Sequence, residues 1–233
     1  MIEWLENCSE KTKALTVRIF VDELVKFIRT NINEEIDMSE EEEIRNSILS
    51  STENLESALL ISKSMPAIKN DLIKQFQSDL ENKIIHKPYE VIWDQNFHWG
   101  GKHSGFYFSF LKQQNKYLWF EFDGGFRGLK WGICRESENI SRNETVWNEI
   151  NLMMTTAFSG WSTTDDWWAW YSKDAEIGED FGDWTISVRP WQEILGKTLA
   201  DRFIAIVDKV YTLFDNRQHL LMPAQTVEIK SSS

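Results

Sequence analysis

The stretch GFYFSFLKQQNKYLWFEFDGGFRGLKWGICRE, residues 105–136, contains three short runs in which large apolar residues occupy every second position. These residues are Phe106, Phe108, Phe110, Leu118, Phe120, Phe122, Leu129, Trp131 and Ile133. Successive side chains of a β-strand point to opposite faces, so each run predicts a strand with one apolar face. Short polar or glycine-containing turns separate the runs, which favours antiparallel pairing. The stretch therefore predicts an antiparallel meander that is buried on one face.

Helical patterns follow the predicted meander. Ser141 and Glu144 have the spacing of a capping box, and apolar residues recur at helical spacing after them. A further strand is predicted near Asp183–Val188, a short helical turn from Pro190, and a last long helix from Thr198. Helices laid on one face of an antiparallel sheet predict an α+β fold.

The region before the meander has the period of helices instead. Residues 12–32 carry an apolar stripe, and Ser39 precedes a run of glutamates that suits the first turn of a second helix. A third helix is predicted from Thr52. A fourth is predicted from Met65 to about Ile85, because Ser64 and Pro66 resemble a helix start. Short connections between such helices predict an antiparallel bundle.

The distribution of tryptophan marks the boundary between the two regions. Eleven of the twelve tryptophans lie between Trp93 and Trp191. We therefore predict a helical bundle at residues 1–88, a Trp-rich region of antiparallel sheet and helices at 89–219, and an extended tail at 220–233 with a disordered end. Most of a group of six tryptophans are expected in the core, because each buried ring removes a large apolar area from water. They are Trp93, Trp119, Trp131, Trp147, Trp184 and Trp191.

Composition limits the class of function. The net charge is −12, which excludes a broad basic platform for nucleic acid and leaves only a local patch. No apolar run is long enough for a membrane span and the N-terminus lacks a signal-peptide pattern, so we predict a cytoplasmic protein without a membrane partner. Cys8 and Cys134 lie far apart, and His98 and His103 have no Cys or acidic partner at ligand spacing. No metal site and no cofactor are predicted.

One short motif raises the question of an enzyme. The sequence SDLENKII, residues 78–85, contains a Glu-x-Lys triplet of the kind that metal-dependent nucleases carry on a strand. Glu81 and Lys83 would share a face on a strand, whereas on a helix they are about 200° apart. The surrounding apolar residues have helical spacing, so we predict that the two side chains diverge and that Lys83 pairs with Asp79 one turn away. No catalytic residue is predicted.

A second motif suggests binding. In the sequence DDWWAWY, residues 165–171, adjacent aromatic residues cannot all point inward from one strand. If the segment is extended, Trp168 and Trp170 share one face while Trp167 and Tyr171 do not. Exposed aromatic rings beside basic residues suit protein partners, stacked bases or sugars. The candidate binding residues are Trp167, Trp168, Trp170, Tyr171, Arg127 and Lys130.

An ordered series of segments resembles a known family. The segments are IEWLENCSEKTKALTVRIFVDELVKFI (2–28), ENLESALLISKSMPAIKNDLIKQFQSDLENKI (53–84), YLWFEFDGGFRGLKWGI (117–133) and WWAWY (167–171), followed by the closing helix after Trp191. Together they resemble the region that follows the catalytic core in uncharacterised prokaryotic proteins of the PD-(D/E)XK nuclease superfamily, often found near defence genes. The resemblance covers nearly the whole chain. It implies that the catalytic aspartate and strand-borne Glu-x-Lys of such proteins lie upstream of this chain.

Three functions follow from the residues and the resemblance. The first is a non-catalytic recognition or regulatory module, with the upstream nuclease core or a neighbouring gene product as protein partner. The second is a module that binds a small ligand or single-stranded nucleic acid through the aromatic cluster, with Arg127, Lys130 and Arg135 nearby. The third, a minimal metal-dependent nuclease that uses Glu81 and Lys83, is disfavoured by the predicted helix.

Overall fold

The computed structural model describes residues 7, 9–11, 21–22, 40–97, 101–139, 142–173 and 176–223. The α-helices whose bounds fall within the described residues are α1 (Glu40–Leu49), α2 (Thr52–Ile84), α3 (Glu144–Ala157), α4 (Arg189–Leu195) and α5 (Leu199–Phe214). The strands are β1 (Glu90–Trp93), β2 (Ser104–Ser109), β3 (Lys116–Phe122), β4 (Lys130–Arg135) and β5 (Trp168–Ser172). Helices come first and the sheet follows, so the fold is α+β as the sequence predicts.

The five strands form one antiparallel sheet in the order β1-β2-β3-β4-β5. Phe106 of β2 lies opposite Phe120 of β3, which in turn lies opposite Trp131 of β4. All three side chains are fully buried, and the stacked rings of Phe106 and Phe120 have centroids 5.2 Å apart. The structure confirms the meander and the apolar face that the alternating pattern predicts.

Three helices supply the layer that covers this face. The buried side chains of this helical layer include Ile73, Phe76 and Leu80 of α2, Trp147, Ile150 and Met154 of α3, and Phe203, Val207 and Val210 of α5. They recur at three- and four-residue steps, which places them on one side of each helix. The ring of Phe203 lies 4.9 Å from that of Phe120 and 5.2 Å from that of Phe106. These contacts join α5 to the centre of the sheet.

The helix α2 differs from the prediction. It is one helix of 33 residues with Pro66 inside it, so the predicted break at Ser64 is wrong. Residues 52–64 contain no glycine or other helix-ending signal, and the helical pattern continues on both sides of the proline. The chain forms two compact units, residues 1–64 and 65–233. The predicted domain boundary near residue 88 lies inside the second unit.

Two local predictions after the meander need correction. Residues 183–188 form turns rather than a strand, with only an isolated bridge between Asp183 and Arg127. The Oδ1 atom of Asp183 accepts hydrogen bonds from the backbone N–H and the hydroxyl of Thr185, which closes a turn in place of a strand ladder.

Helix α3 is capped by Asn143, whose Oδ1 accepts a hydrogen bond from the backbone N–H of Val146, 3.2 Å away. Ser141, the predicted cap, lies outside the described residues.

The ends of the chain are described only in part. Leu220 and Leu221 are buried in a short 3-10 turn, Gln218–Leu221, instead of the extended tail that the sequence predicts. Residues 224–233 lie outside the described part of the chain, as do nearly all of the predicted helix at 12–32, the predicted cap Ser39 of the second helix, and His98. Among the described helices, none has the length and apolar character needed to cross a bilayer.

A buried lysine at the start of β3 ties the 3-10 turn to the sheet. The Nζ atom of Lys116 donates hydrogen bonds to Asn115 Oδ1 and to the carbonyl oxygen of Met222, both at 3.0 Å. The residue is only 4% exposed, and burial lowers the pKa of Lys116 to about 8. An ammonium group in these surroundings opposes folding at neutral pH.

We expect the stability of the protein to depend on pH through Lys116. The unfolded chain keeps this proton up to a pKa of about 10.4, so between about pH 8 and 10.4 it binds more protons than the folded protein, and rising pH stabilises the fold. From pH 8 to pH 10, the free energy of unfolding of wild type should therefore rise by about 1–2 kcal/mol relative to that of Lys116→Met, a figure reduced for solvent screening. Urea denaturation of both proteins across this range measures the difference. The difference in stability between wild type and the exposed control Lys112→Met should show no comparable change with pH. A stability difference between wild type and Lys116→Met that stays constant across this range would contradict the expectation.

Candidate ligand-binding site

The face of the sheet opposite the helices carries a second row of aromatic side chains. Tyr107 lies opposite Trp119, Trp119 opposite Gly132, and Gly132 opposite Tyr171. These positions alternate with the buried ones, so their side chains point away from the helices. The ring centroids of Tyr107 and Trp119 are 5.0 Å apart, as are those of Tyr107 and Tyr117. Period two thus places aromatic residues on both faces of this sheet.

A β-bulge at Ala169 decides which face each residue of β5 occupies. Ile133 pairs with Trp170, but the next residue, Cys134, pairs with Trp168, so Ala169 is an extra residue in β5. Trp170 therefore points into the core, where it is fully buried against Trp131 at 5.0 Å. Trp168 points to the outer face, with its ring 5.6 Å from that of Tyr171. The prediction that Trp168 and Trp170 share a face is wrong, because a bulge interrupts the regular alternation.

Two cavities meet at Trp119 on the outer face, and we call them together the Trp119 cleft. The larger has a volume of about 490 Å³ and the smaller about 320 Å³. Trp119, Trp167, Trp168, Glu121, Lys130 and Asp165 are among the residues that line the larger cavity. Trp119, Tyr107, Tyr117, Asp94 and Glu136 are among those that line the smaller one. Trp119 and Glu136 belong to both, so the cavities are neighbours along one groove.

The floor of the larger cavity holds a buried ion pair. Glu121 is 8% exposed, and its Oε1 atom lies 2.9 Å from Lys130 Nζ and 3.0 Å from His103 Nδ1. Lys130 also contacts Asp123 Oδ1 at 3.2 Å. Burial by itself lowers the pKa of Lys130, but the hydrogen bonds and charges of Glu121 and Asp123 outweigh it and raise that pKa. The lysine is thus held as an ammonium ion.

The same residues resemble a metal site only in outline. Ligand atoms of His103, Glu121 and Asp123 lie within 4.8 Å of one another, the one such group of three found among the described residues. The ammonium group of Lys130 already bonds both carboxylates at this point, and a divalent cation would have to compete with that fixed positive charge. The geometry therefore favours an internal ion pair over a metal centre.

The segment above the cavity is fixed by its own hydrogen bonds. The Oδ1 atom of Asp165 accepts from the backbone N–H groups of Trp167 and Trp168, each at 2.8 Å. The indole N–H of Trp147, a core residue, donates to the carbonyl oxygen of Asp165 at 3.2 Å. The guanidinium of Arg135 lies 4.8 Å from the ring centroid of Trp167, which is 38% exposed. The cleft therefore has a preformed wall of two tryptophans.

Two polar groups of the cleft differ in what they can do. The indole Nε1 of Trp119 is buried and has no hydrogen-bond acceptor among the described residues. A buried donor without an acceptor is destabilising, and because this atom has almost no solvent-accessible surface, a ligand oxygen can reach it only if the ring shifts. Burial, the largest cause, raises the pKa of the Cys134 thiol, and carboxylates nearby add to the effect. Cys134 therefore stays protonated and is a poor nucleophile.

Another cavity, of about 730 Å³, lies beside α4 and α5 in the same unit. Its charged residues bond one another. Glu193 accepts from Arg202 and from Arg189, and these two hydrogen bonds, with Arg202 the stronger influence, lower the pKa of Glu193. Although this cavity is larger, its ionic groups already satisfy one another, so we place the candidate site in the Trp119 cleft.

The structure brings together some of the predicted binding residues and separates others. Trp167, Trp168 and Lys130 line the cleft, and Tyr171 lies beside Trp168. Trp170 is in the core, and Arg127 lies in the turn between β3 and β4, next to Asp183. These two therefore do not belong to the cleft.

Sequence reasoning missed the centre of the site. The sequence places Trp119 in a group of six tryptophans most of which are expected in the core, whereas Trp119 is half-buried on the outer face. The available signal was that Tyr107, Tyr117 and Trp119 occupy the alternate positions of strands whose other positions are apolar. An aromatic residue at a position that normally faces solvent is a sign of a covered or functional surface.

Glu81 and Lys83 lie on helix α2, as predicted, and they diverge. The Oε1 atom of Glu81 accepts a hydrogen bond of 2.8 Å from the indole N–H of Trp93. Lys83 donates to the carbonyl oxygen of Lys197 and pairs with Asp201, not with the predicted partner Asp79. The two side chains serve separate contacts with the sheet and with α5.

The chain was also compared with known proteins. No protein-family model, curated protein or solved structure matches it. The relationship to the PD-(D/E)XK superfamily thus stays a prediction that rests on the segments quoted above.

Proposed function

We propose that this chain is a non-catalytic recognition module that binds a ring-containing ligand in the Trp119 cleft. The observation that carries the proposal is the meeting of two cavities at Trp119, on the sheet face opposite the helices. Ligand sites in proteins are concave, mostly apolar, and supplied with a few well-placed polar groups. The cleft has this composition.

Its aromatic rings are available for contact with a flat ligand. The solvent-facing side of an antiparallel sheet is commonly polar, because exposed aromatic area is unfavourable in water. Here Tyr107 and Trp119 are partly exposed on that side, Trp167 at its edge is 38% exposed, and Trp168 is buried beside them. A bound ring would remove this area from water and gain roughly 25 cal/mol for each Å² of apolar surface that it covers.

The cleft is also rigid, which favours affinity. The strands fix the positions of Trp119 and Trp168, and the hydrogen bonds to Asp165 fix the segment that carries Trp167. A site that is already in its binding conformation loses little conformational entropy when the ligand binds. Recognition by a preformed site therefore needs no movement of the helical layer.

The resemblance to a post-catalytic region adds a second part to the proposal. It would place this module beside a nuclease core, where the cleft selects a ligand or target for the core. The minimal nuclease is the weaker alternative, because Glu81 and Lys83 do not converge on one point. Magnesium-dependent cleavage that is lost in Glu81→Ala would favour that alternative instead.

We expect a ring-containing ligand to bind and Trp119→Ala to weaken its binding by at least about tenfold, or about 1.4 kcal/mol. The loss follows from removal of the ring that lines both cavities. The measurement is titration calorimetry, supported by quenching of tryptophan fluorescence, with a panel of nucleosides, short oligonucleotides, peptides and oligosaccharides.

The control is Ile186→Ala, which removes an exposed apolar side chain far from the cleft residues in sequence and should not change affinity. Near-UV circular dichroism of Trp119→Ala checks that the fold is retained. Binding that persists unchanged in both Trp119→Ala and Trp168→Ala would overturn the assignment of the cleft, and so would a panel with no ligand at all.

A further inference from the structure

We infer that the ligand of the Trp119 cleft is a neutral oligosaccharide that spans at least two sugar rings. The inference rests on the proposed binding function and narrows its ligand to one chemical class. It follows from the shape of the groove, its charge and its polar groups, which favour an uncharged ligand over a polyanion or a polycation.

The shape of the groove calls for more than one ring. Each of the two cavities, about 490 Å³ and about 320 Å³, falls in the size range of a small-ligand site. Trp119 and Glu136 line both of them. A ligand that fills the groove must therefore pass over Trp119, with rings on either side.

The charge of the groove excludes a polyanion. Its lining includes the carboxylates of Asp94, Glu121, Glu136 and Asp165, and Lys130 is the lysine among the lining residues. The charge of Lys130 is already neutralised by Glu121 and Asp123. Binding of single-stranded nucleic acid depends on protein cations that neutralise the phosphates, whereas the carboxylates of this lining would repel the phosphates.

The protein's own cations compete with a cationic ligand for the aromatic rings, although the carboxylates of the lining could accept hydrogen bonds from an ammonium group. Two ring faces are already occupied by the protein's own cations. Lys130 Nζ lies 5.6 Å from the ring centroid of Trp168, and the guanidinium of Arg135 lies 4.8 Å from that of Trp167.

Sugar hydroxyls suit the polar groups of the lining. A hydroxyl can donate a hydrogen bond to a carboxylate such as that of Glu136, which is exposed, without bringing a charge into the groove. The C–H face of a sugar ring is apolar and can lie against an aromatic side chain, as a hydrophobic contact requires. Uncharged rings with many hydroxyls match the cleft better than either ionic class.

The test uses titration calorimetry with three kinds of probe. They are neutral hexasaccharides of different linkage, such as cellohexaose, maltohexaose and chitohexaose, with the wider neutral part of a glycan array; a single-stranded oligothymidylate; and spermine. We expect a neutral oligosaccharide to bind, its monosaccharide to bind at least about tenfold more weakly, and its affinity to change little between about 50 and 200 mM salt.

Two conservative variants keep the test informative if Trp119→Ala does not fold. Trp119→Phe keeps a ring but removes the indole N–H, and Trp167→Ala removes a partly exposed ring. Each should weaken oligosaccharide binding by at least about fivefold, or about 1 kcal/mol. Glu136→Gln keeps a hydrogen-bond acceptor and should change oligosaccharide binding less than either.

The outcomes separate the inference from the proposed function. If oligothymidylate or spermine binds in a Trp119-dependent manner and no neutral oligosaccharide does, the inference is overturned while the proposed function stands. If oligosaccharides bind but Trp119→Phe and Trp167→Ala have no effect, the site is elsewhere and both are overturned. If none of these probes binds, the inference is overturned, and the proposed function is overturned with it when the nucleosides and peptides of the wider panel do not bind either.

Discussion

Replacement of Phe203 by alanine is expected to lower the free energy of unfolding by about 4 kcal/mol. Phe203 is fully buried, and its ring contacts those of Phe76, Phe106 and Phe120 at centroid distances of 5.5, 5.2 and 4.9 Å. Truncation leaves a cavity among residues from α2, β2 and β3. The strands are fixed by their ladder and cannot close on it, so the loss of contacts adds to the loss of apolar burial.

Urea denaturation monitored by far-UV circular dichroism measures this effect. The matched control is Leu152→Ala on α3, which truncates a side chain that is 70% exposed. That change should fall within about 0.5 kcal/mol of wild type. A loss of less than about 1.5 kcal/mol in Phe203→Ala would mean that α5 does not pack on the sheet as described.

The Gly132→Ala variant is expected to lose about 3 kcal/mol of stability. Gly132 is at the centre of β4, between Trp119 and Tyr171. A Cβ atom at this position would lie 2.0 Å from the carbonyl oxygen of Trp170 and 2.7 Å from the Cα atom of Tyr171. Both are backbone atoms of β5, so no side-chain rotation can relieve the overlap, and the two strands must separate.

The same variant links stability to the site. Displacement of β5 would move Trp168 and Tyr171, which form one side of the outer aromatic row, so ligand binding in the Trp119 cleft should weaken together with the fold. Gly182→Ala is the matched control, because its added Cβ would come no closer than 3.4 Å to a neighbouring atom. Thermal unfolding should place Gly182→Ala close to wild type. Equal unfolding temperatures for Gly132→Ala and Gly182→Ala would contradict the close approach of the β5 backbone to Gly132 of β4.

The strands were predictable because the spacing of apolar residues that defines them lies within short stretches of the sequence. Side chains alternate across a strand with a period of two for steric reasons, so the spacing of Phe106, Phe108, Phe120 and Trp131 was enough to predict the meander and its buried face. The helical spacing of the apolar residues around Glu81 and Lys83 likewise predicted that these two side chains diverge. The short helix at Pro190 and the last helix after Thr198 also begin where local signals place them.

The errors arose where a local pattern competes with another interaction. Pro66 was interpreted as a helix start, but the residues on both sides continue the helix. Asp183 uses its side chain to close a turn in a segment whose composition favours a strand. The extra residue at Ala169 is visible only in the register of β5 against β4. Each outcome depends on contacts that a short window of sequence does not contain.

The sequence by itself therefore determined the α+β class, the period of each element and the apolar face of the sheet, because backbone geometry couples these properties to neighbouring residues. The tertiary structure alone decided that Trp170 is in the core while Trp168 faces outward, that Lys83 pairs with Asp201, and that Trp119 joins two cavities. These facts depend on strand register and on contacts between residues far apart in the chain. The cleft is composed of such contacts, since its walls come from all five strands and from the segment before β5.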